Sequence, residues 1–571
     1  MLLNFSIFLI FSILIIISTL GYGIFISNKI FINSKYLSLP LKGFFGIFFL
    51  YLISSFTHLI LPHNYIHNSV IIIIGILFFF KLINKTINHK ENLKHIIFFF
   101  ACLFIGFVIS KTNEDFPYYH LPNSLQFALN KLEFGLGNIN HGFKHFSSLF
   151  LINSLFYLPL VEIYLFNITN FMLQIFFFSS LTVILYKNHN NNFTIILALI
   201  TLVTYLTKFY RLSEYGADYF GQFLVILSFI ILSIGFSVSK QSAKDKKEVF
   251  LIAIYLMMLA ITTKFLYVIY LLIPIFVIFN QYNFKEIKEL IFEKKFFTIS
   301  TATLLTVLFF NYAATGCLIY PVIISCLTET ADWSIPKEVI NQLNLHYKAW
   351  SKAGIGAGYG TDDIKGYLSG LSWIENWIKT YFFNKVSDYI LVILFISLIL
   401  LLVFKKDLKK NNKINFKIHI SLISYISIFL VFSLWFFNFP SLRYAGYSVF
   451  FLLLVVPLCI YLAKKLNFNK IIIKKKIKIL IILALVIFNL KNIQRLNNEL
   501  YLKSYEHHNF LNFPFYWVDN VEYESILING KYFYEVTSNK SCWNVPPTCL
   551  RGDRNYLDIQ TKNGYFFYKK R

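Results

Sequence analysis

Charge is scarce in this 571-residue chain: Asp, Glu, Lys and Arg make up 14% of it and hydrophobic residues 57%. A soluble domain of this size needs far more charge on its surface, so that class is excluded. No G-x-x-x-x-G-K-[ST] loop and no dinucleotide-binding glycine fingerprint occurs, which leaves an internal nucleotide site of the usual kinds unsupported. The Ser and His residues form no nucleophile elbow. Acid is scarcer than base, at 28 residues against 53, for a net charge of +25. That balance invites a nucleic-acid partner, but the lysines flank apolar runs rather than forming a separate basic domain, so no nucleic acid is expected. An AT-rich genome would also enrich Lys, Asn, Ile and Phe together.

The mean hydropathy is +0.61, and the apolar residues fall in runs of about the 20 residues that cross a bilayer as helix. Runs lie near 2–26, 43–61, 65–80, 96–110, 166–186, 193–209, 219–238, 249–263, 265–280, 296–313, 388–404, 418–437, 445–463 and 479–490. The first lacks a basic start and is too long for a signal-peptide core, so it reads as a span. The stretch 147–165, with Pro159 and Glu162, reads as either a span or a re-entrant segment. The expected fold is an all-α polytopic membrane protein of about 13–14 transmembrane helices in residues 1–490. Its external loops are 111–148 and 314–387, and a small tail follows at 491–571. Short aromatic runs between turns, as in Gly530-Lys531-Tyr532-Phe533-Tyr534, predict some strand in that tail.

Loops 27–42, 81–95, 187–192, 240–248, 281–295, 405–417 and 464–478 hold 29 of the 53 basic residues. They therefore belong inside, which puts 111–148, 314–387 and both termini outside. Cys542 and Cys549, separated by six residues of a turn-prone segment, are expected to form a disulfide there. A zinc site with His507 and His508 is the weaker reading. Cys317 and Cys326 are a second, less favoured pair; Cys102 and Cys459 lie in spans and read as packing residues.

The segment N-E-D-F-P-Y-Y-H-L-P, Asn113 to Pro122, crowds Glu114, Asp115, Tyr118, Tyr119 and His120 beside a span. Ionisable groups at the edge of lipid are costly, so such a cluster is a candidate site. The same face receives Arg211, Glu214 and Asp218 in R-L-S-E-Y-G-A-D, Lys264 between two apolar runs, and Arg443 in F-P-S-L-R-Y. Carboxylates with a lysine and arginines suit a transfer from a lipid-linked phosphate donor. A carboxylate takes the acceptor proton or holds a metal, and the cations neutralise the leaving phosphate. Whether a divalent metal takes part is left open.

With these residues the chain resembles the C-type superfamily of integral-membrane glycosyltransferases, whose acidic motif sits in the first large external loop. It is most similar to a group of poorly characterised bacterial polytopic proteins. Gly316-Cys317-Leu318-Ile319-Tyr320-Pro321, Asp332-Trp333-Ser334-Ile335-Pro336, Pro440-Ser441-Leu442-Arg443-Tyr444 and the Cys542 to Cys549 segment carry that similarity beside the acid motif. The resemblance implies an enzyme of the bacterial inner membrane that draws a sugar from a polyprenyl-phosphate-linked donor, with membrane lipid around it. Asp115 or Glu114 would be catalytic, and His120, Tyr119, Glu214, Asp218, Lys264 and Arg443 would bind substrate. The acid pair is adjacent here where the superfamily often spaces it by one residue, and four spans precede the loop. Asp115 is favoured because it lies nearer Tyr118 and His120.

Plainer roles stand beside these. Glu114 and Asp115 would cap a helix starting near Tyr118; His120 would be an interfacial histidine; Arg211 would pair with Glu214 or Asp218. Lys264 would snorkel to headgroups, and Arg443 would anchor at the interface. Trp333, Trp350, Trp373 and Trp377 would form a membrane belt or stack on sugar rings. An O-antigen-type polymerase and a lipid or oligosaccharide transporter are the competing functions; the absence of a fixed-period repeat and of charge at span centres argues against the transporter.

Overall fold

The computed structural model describes residues 2–31, 34–85, 87–108, 115–187, 191–211, 216–238, 242–356, 359–408, 416–466, 471–501, 521–537, 541–551 and 557–571. The chain is mostly helical. Among the described residues nine helices are long and apolar enough to cross a membrane: Leu3–Ile30, Leu39–His58, Tyr65–Leu82, Ile163–Tyr186, Lys294–Thr315, Trp373–Asp407, Ile418–Asn438, Leu442–Lys465 and Ile473–Asn498. Four more apolar helices, Asn92–Val108, Asn192–Lys208, Phe220–Ile234 and Phe265–Gln281, are shorter. The expected run 249–263 lies in the helix Ala243–Thr263, whose first turns are charged. All fourteen apolar runs are thus helical over most of their length, but among the described residues only nine helices are both long and apolar enough to cross a membrane. A multi-pass membrane protein accounts for this content.

Exposure follows the helical period. On Tyr65–Leu82 the exposed side chains include Ile66, Val70, Ile73, Leu77 and Phe80, and on Ile418–Asn438 they include Leu422, Ile426, Phe429 and Phe437. Apolar stripes spaced by three and four residues leave a lipid-sized face uncovered, a liability in water and ordinary against acyl chains. The hydrophobic span within Ile163–Tyr186 is buried throughout. Small residues let backbones meet. A Cβ on Gly46 would strike the Thr19 carbonyl, and one on Gly75 would strike Ser18, so the first three helices pack at contacts only glycine permits.

The segment 147–165 does not span. A seven-residue helix, Ser148–Ser154, is followed by a turn with positive φ at Leu160 and Glu162 and a 3-10 turn at Ile163–Leu165. The helix ends at Ser154, and Pro159 with the positive-φ residues Leu160 and Glu162 keeps it from resuming before Ile163.

Contacts tie the basic loops to one another. Lys35 pairs with Asp245 at 2.9 Å, Lys247 with Glu293 at 2.7 Å and Lys476 with Asp407 at 2.6 Å, and Lys295 donates to the Lys29 carbonyl. Residue 237 bridges to 416.

At the other end of the helices lies the tail. The final helix, Ile471–Tyr501, carries the chain past residue 491 before strand begins at Tyr523. Strands Tyr523–Ile528 and Lys531–Val536 pair antiparallel, and Cys549–Arg551 joins the second in parallel. A separate hairpin pairs Leu557–Lys562 with Tyr565–Lys570. Both hairpins close on Asn-Gly, Asn529-Gly530 and Asn563-Gly564, with positive φ at all four residues; this two-residue turn matches strand twist. Phe134 of the first external loop bonds the last strand through the Phe566 carbonyl and the Tyr568 N–H, so the tail is seated on loop 111–148. Disulfides join Cys542 to Cys549 and Cys317 to Cys326; Cys102 and Cys459 are free thiols. His507 and His508 lie outside the described residues.

Candidate functional site

Four charged side chains from four separate segments meet beside the tail. Arg443 donates through Nε to Asp218 and through a terminal nitrogen to Asp115, and Lys264 donates to the other oxygen of Asp218. The Asp218 side chain is 9% exposed and that of Asp115 29%. Asp218 is therefore sealed within the cluster and Asp115 is the carboxylate open to a ligand. The second oxygen of Asp115 makes no hydrogen bond among the described residues.

Each segment is shaped by a local break. Asp115 opens a wide π-type turn, Phe116–His120, with Pro117 in its first positions; such turns recur at functional sites. Its side chain caps nothing there, so the helix-cap role fails for Asp115. Asp218 follows Gly216, whose φ is +54° and against whose Cα the His120 ring packs without room for a Cβ. Lys264 is an extended residue, φ −152°, between the helix Ala243–Thr263 and the 3-10 turn Phe265–Leu271. Arg443 lies where Tyr444 and Ala445 leave helical geometry, Ala445 with φ +69°. Irregular backbone at membrane depth survives when protein encloses it, and here the Trp377 and Trp435 indoles donate to the Pro440 and Ser441 carbonyls at 2.8 and 3.2 Å.

Gln222, one helical turn beyond Asp218, locks two of these breaks together. Its amide donates to the Asp218 carbonyl at 3.2 Å and to the Leu442 carbonyl at 3.2 Å, and its oxygen accepts from the Ser448 N–H at 3.0 Å. Tyr267 donates to the Asp218 carbonyl at 2.8 Å. Sequence reasoning missed Gln222 and Tyr267. Gln222 had a signal: a polar amide in an apolar run, four residues past a carboxylate.

Burial alone would raise the Asp218 carboxyl, but Arg443 and Lys264 hold it down to about 2. Burial pushes the His120 imidazole down to about 4, despite the pull of Asp115 and Asp218. His120 is thus neutral at pH 7 and packs between Gly216 and Phe150, with ring centroids 5.1 Å apart. Tyr119 packs on Gly142. Both side chains lie within electrostatic reach of Asp115 and Asp218.

Lys264 departs from its plainer reading. Asp218 pairs with Lys264 and Arg443 rather than with Arg211, and Lys264 turns inward, its ammonium 5.2 Å from the Tyr444 ring centroid. Arg443 bridges Asp115 and Asp218. Glu114 and Glu214 lie outside the described residues. Of the tryptophans, Trp373 and Trp377 are buried against Phe436 and Trp333 packs on Phe134 and Phe567; Trp350 stands beside Tyr444, ring centroids 5.6 Å apart. The tail reaches the same place: the Trp543 N–H donates to the Pro117 carbonyl at 3.1 Å, and Arg551 lies 5.0 Å from the Tyr118 ring.

Among the described residues no group of three or more His, Cys, Asp or Glu gathers as a metal-holding set. A hollow of about 590 Å³ bounded by Leu59, Phe309, Trp333, Lys562 and Tyr565 lies apart from the charge cluster and contains none of its four side chains.

The model of a family described as a domain of unknown function, DUF8201, matches residues 5–451, and the chain belongs to that family. The match takes in Asp115, Asp218, Lys264 and Arg443 and stops short of the strand-bearing tail. No curated protein and no solved structure matches the chain.

Proposed function

We propose that this protein is a membrane glycosyltransferase that moves a sugar from a polyprenyl-phosphate-linked donor to an acceptor hydroxyl at the outer face of a bacterial inner membrane. The observation that carries the reading is the convergence of Asp115, Asp218, Lys264 and Arg443 from four distant segments, beside the tail and away from the basic loops. The basic loops face the cytoplasm by the positive-inside bias, so the cluster opens outward, where lipid-carried sugars are used.

In this reading the open oxygen of Asp115 accepts the proton of the acceptor hydroxyl as its oxygen bonds to the anomeric carbon. The bond from that carbon to the phosphate oxygen breaks, and the electron pair leaves with the polyprenyl phosphate. Lys264 and Arg443 meet the charge that develops on the phosphate, in surroundings dry enough to strengthen the interaction. Asp218 holds both cations in place beforehand, so little reorganisation accompanies the step. Trp350 and Tyr444 offer aromatic faces for a sugar ring.

The test is purified protein in liposomes given a panel of short-chain polyprenyl-phosphate sugars and candidate glycan acceptors. Transfer from one donor, abolished in Asp115→Asn, supports the reading. Absence of transfer and of donor hydrolysis across the panel, with the protein folded, counts against it.

A further inference from the structure

Lys144 is buried, and among the described residues its hydrogen bond is to the His141 imidazole, Nζ to Nδ1 at 3.4 Å. Among those residues no acid figures in its electrostatic surroundings; the charged neighbour acting on it is another cation, Lys570. A buried ammonium held this way leaves N–H donors unmatched, which is costly unless an anion arrives.

The hydrogen-bond directions show how the group is aimed. A charged lysine only donates, so His141 Nδ1 accepts and Nε2 carries the proton. That N–H donates to the Tyr347 hydroxyl at 2.9 Å, which lies 3.4 Å from the Tyr320 hydroxyl. The imidazole is fixed at one edge by the helix Lys337–Ser351 and holds Lys144 at the other. His145, one residue on, has its ring 5.1 Å from both Tyr320 and Tyr347 and lies within electrostatic reach of Lys264 as well as of His141 and Lys144. Through His145 the group therefore stands within electrostatic reach of Lys264 in the Asp218 cluster.

We propose that Lys144 and His141, with Lys570 from the last strand, form a second anion site that takes a phosphoryl group, distinct from the cation pair held by Asp218. In the transferase reading this would be the site for a phosphorylated acceptor carrier, though the binding itself does not depend on that reading. The phosphoryl oxygens accept from the Lys144 ammonium in place of water. Burial pushes that ammonium down to about 8 and His141 down to about 4, so between about pH 4 and pH 8 the lysine is charged and the histidine neutral. The groups facing them are Lys570 on the last strand and His346 and Tyr347 on the helix Lys337–Ser351. An anion is held most tightly below pH 8 and is released as the pH rises through that value.

Binding of inorganic diphosphate and of geranyl diphosphate to the detergent-solubilised full chain tests this without any transfer assay. Both should bind at pH 7 and weaken by about tenfold per pH unit above 8. Lys144→Gln should lose at least about tenfold in affinity, and Lys144→Arg should keep most of it. Binding of geranyl diphosphate alone assigns the site to a lipid carrier, and equal binding of both assigns it to the phosphoryl group itself. Unchanged affinity in Lys144→Gln, or no binding of either anion to the wild type at pH 7, overturns the site. If Lys144→Gln does not fold, Lys570→Gln, at an exposed position, decides in its place: weaker binding supports the site and unchanged binding removes it.

Discussion

Arg443 joins Asp115 to Asp218, residues that stand 328 and 225 positions before it in the chain. One guanidinium spends separate N–H donors on two carboxylates, which sets the distance between the sealed acid and the open one. A lysine carries the charge but has no planar fork to span both.

Asp115 is where the catalytic reading is most exposed. Asp115→Asn keeps the shape and removes the charge, and loss of a general base typically costs about 10²–10⁴ in rate. Sugar transfer should fall by that factor while membrane abundance hardly changes. Glu114→Gln, measured alongside, should transfer sugar at close to the wild-type rate. Full activity in both variants at normal abundance would remove the role assigned to Asp115.

Acid should dismantle the cluster in a defined window. The Asp218 carboxyl is held at about 2 in the fold against 3.8 unperturbed, a difference of roughly 2 kcal/mol. Because the folded value is the lower one, this stabilisation is fully present above pH 3.8 and is lost as the pH falls toward 2. Thermal unfolding of the solubilised protein should show that loss in the wild type. Asp218→Asn should be less stable at pH 7 and flatter across the window; an equal slope in both would place the acid sensitivity outside Asp218.

The tail is stapled to the first external loop by a buried ion pair. Glu133 accepts from Lys531 and, at 2.8 Å, from the Tyr568 hydroxyl, and the Glu133 side chain is 3% exposed. Lys531→Met leaves that carboxylate buried and unpaired, at a cost of about 3–5 kcal/mol. The tail should then become sensitive to limited proteolysis while the helices stay protected. Adding Glu133→Gln should restore much of the protection, and no recovery in the double variant would show that the pair does not couple the two parts.

Sidedness is testable without any substrate. Reporters fused after Ile139 and after Tyr568 should read extracytoplasmic and fusions within 405–417 cytoplasmic. Cys542 and Cys549, joined in the structure, should resist alkylation in intact cells until reduced. A cytoplasmic reading at Ile139 would put the cluster on the wrong face for a lipid-carried sugar donor.

What the sequence by itself determined is local or compositional. Apolar runs became helices because a chain in lipid must satisfy its backbone internally. Asn529-Gly530 and Asn563-Gly564 became hairpin turns because those residues tolerate positive φ, where the aromatic pattern predicts strand without fixing the turns. The clustering of basic residues marked one set of loops, and those loops contact one another in the fold. Tertiary structure alone decided the partnerships. Asp218 lies seven residues from Arg211, yet it is bound by Lys264 and Arg443. The breaks at Gly216, Lys264 and Ala445 aim these side chains inward, and burial makes charge neutralisation stronger than any preference for near neighbours in sequence. Likewise 147–165 has enough apolar residues to cross, but its helix stops at Ser154 and the turn through Pro159, Leu160 and Glu162 does not resume it. Gln222 acquires its role only because the turn at Asp218 and the kink at Arg443 come within reach of one amide. Nothing in the sequence between Gln222 and Leu442, 220 positions apart, encodes that distance; it follows from how the helices pack.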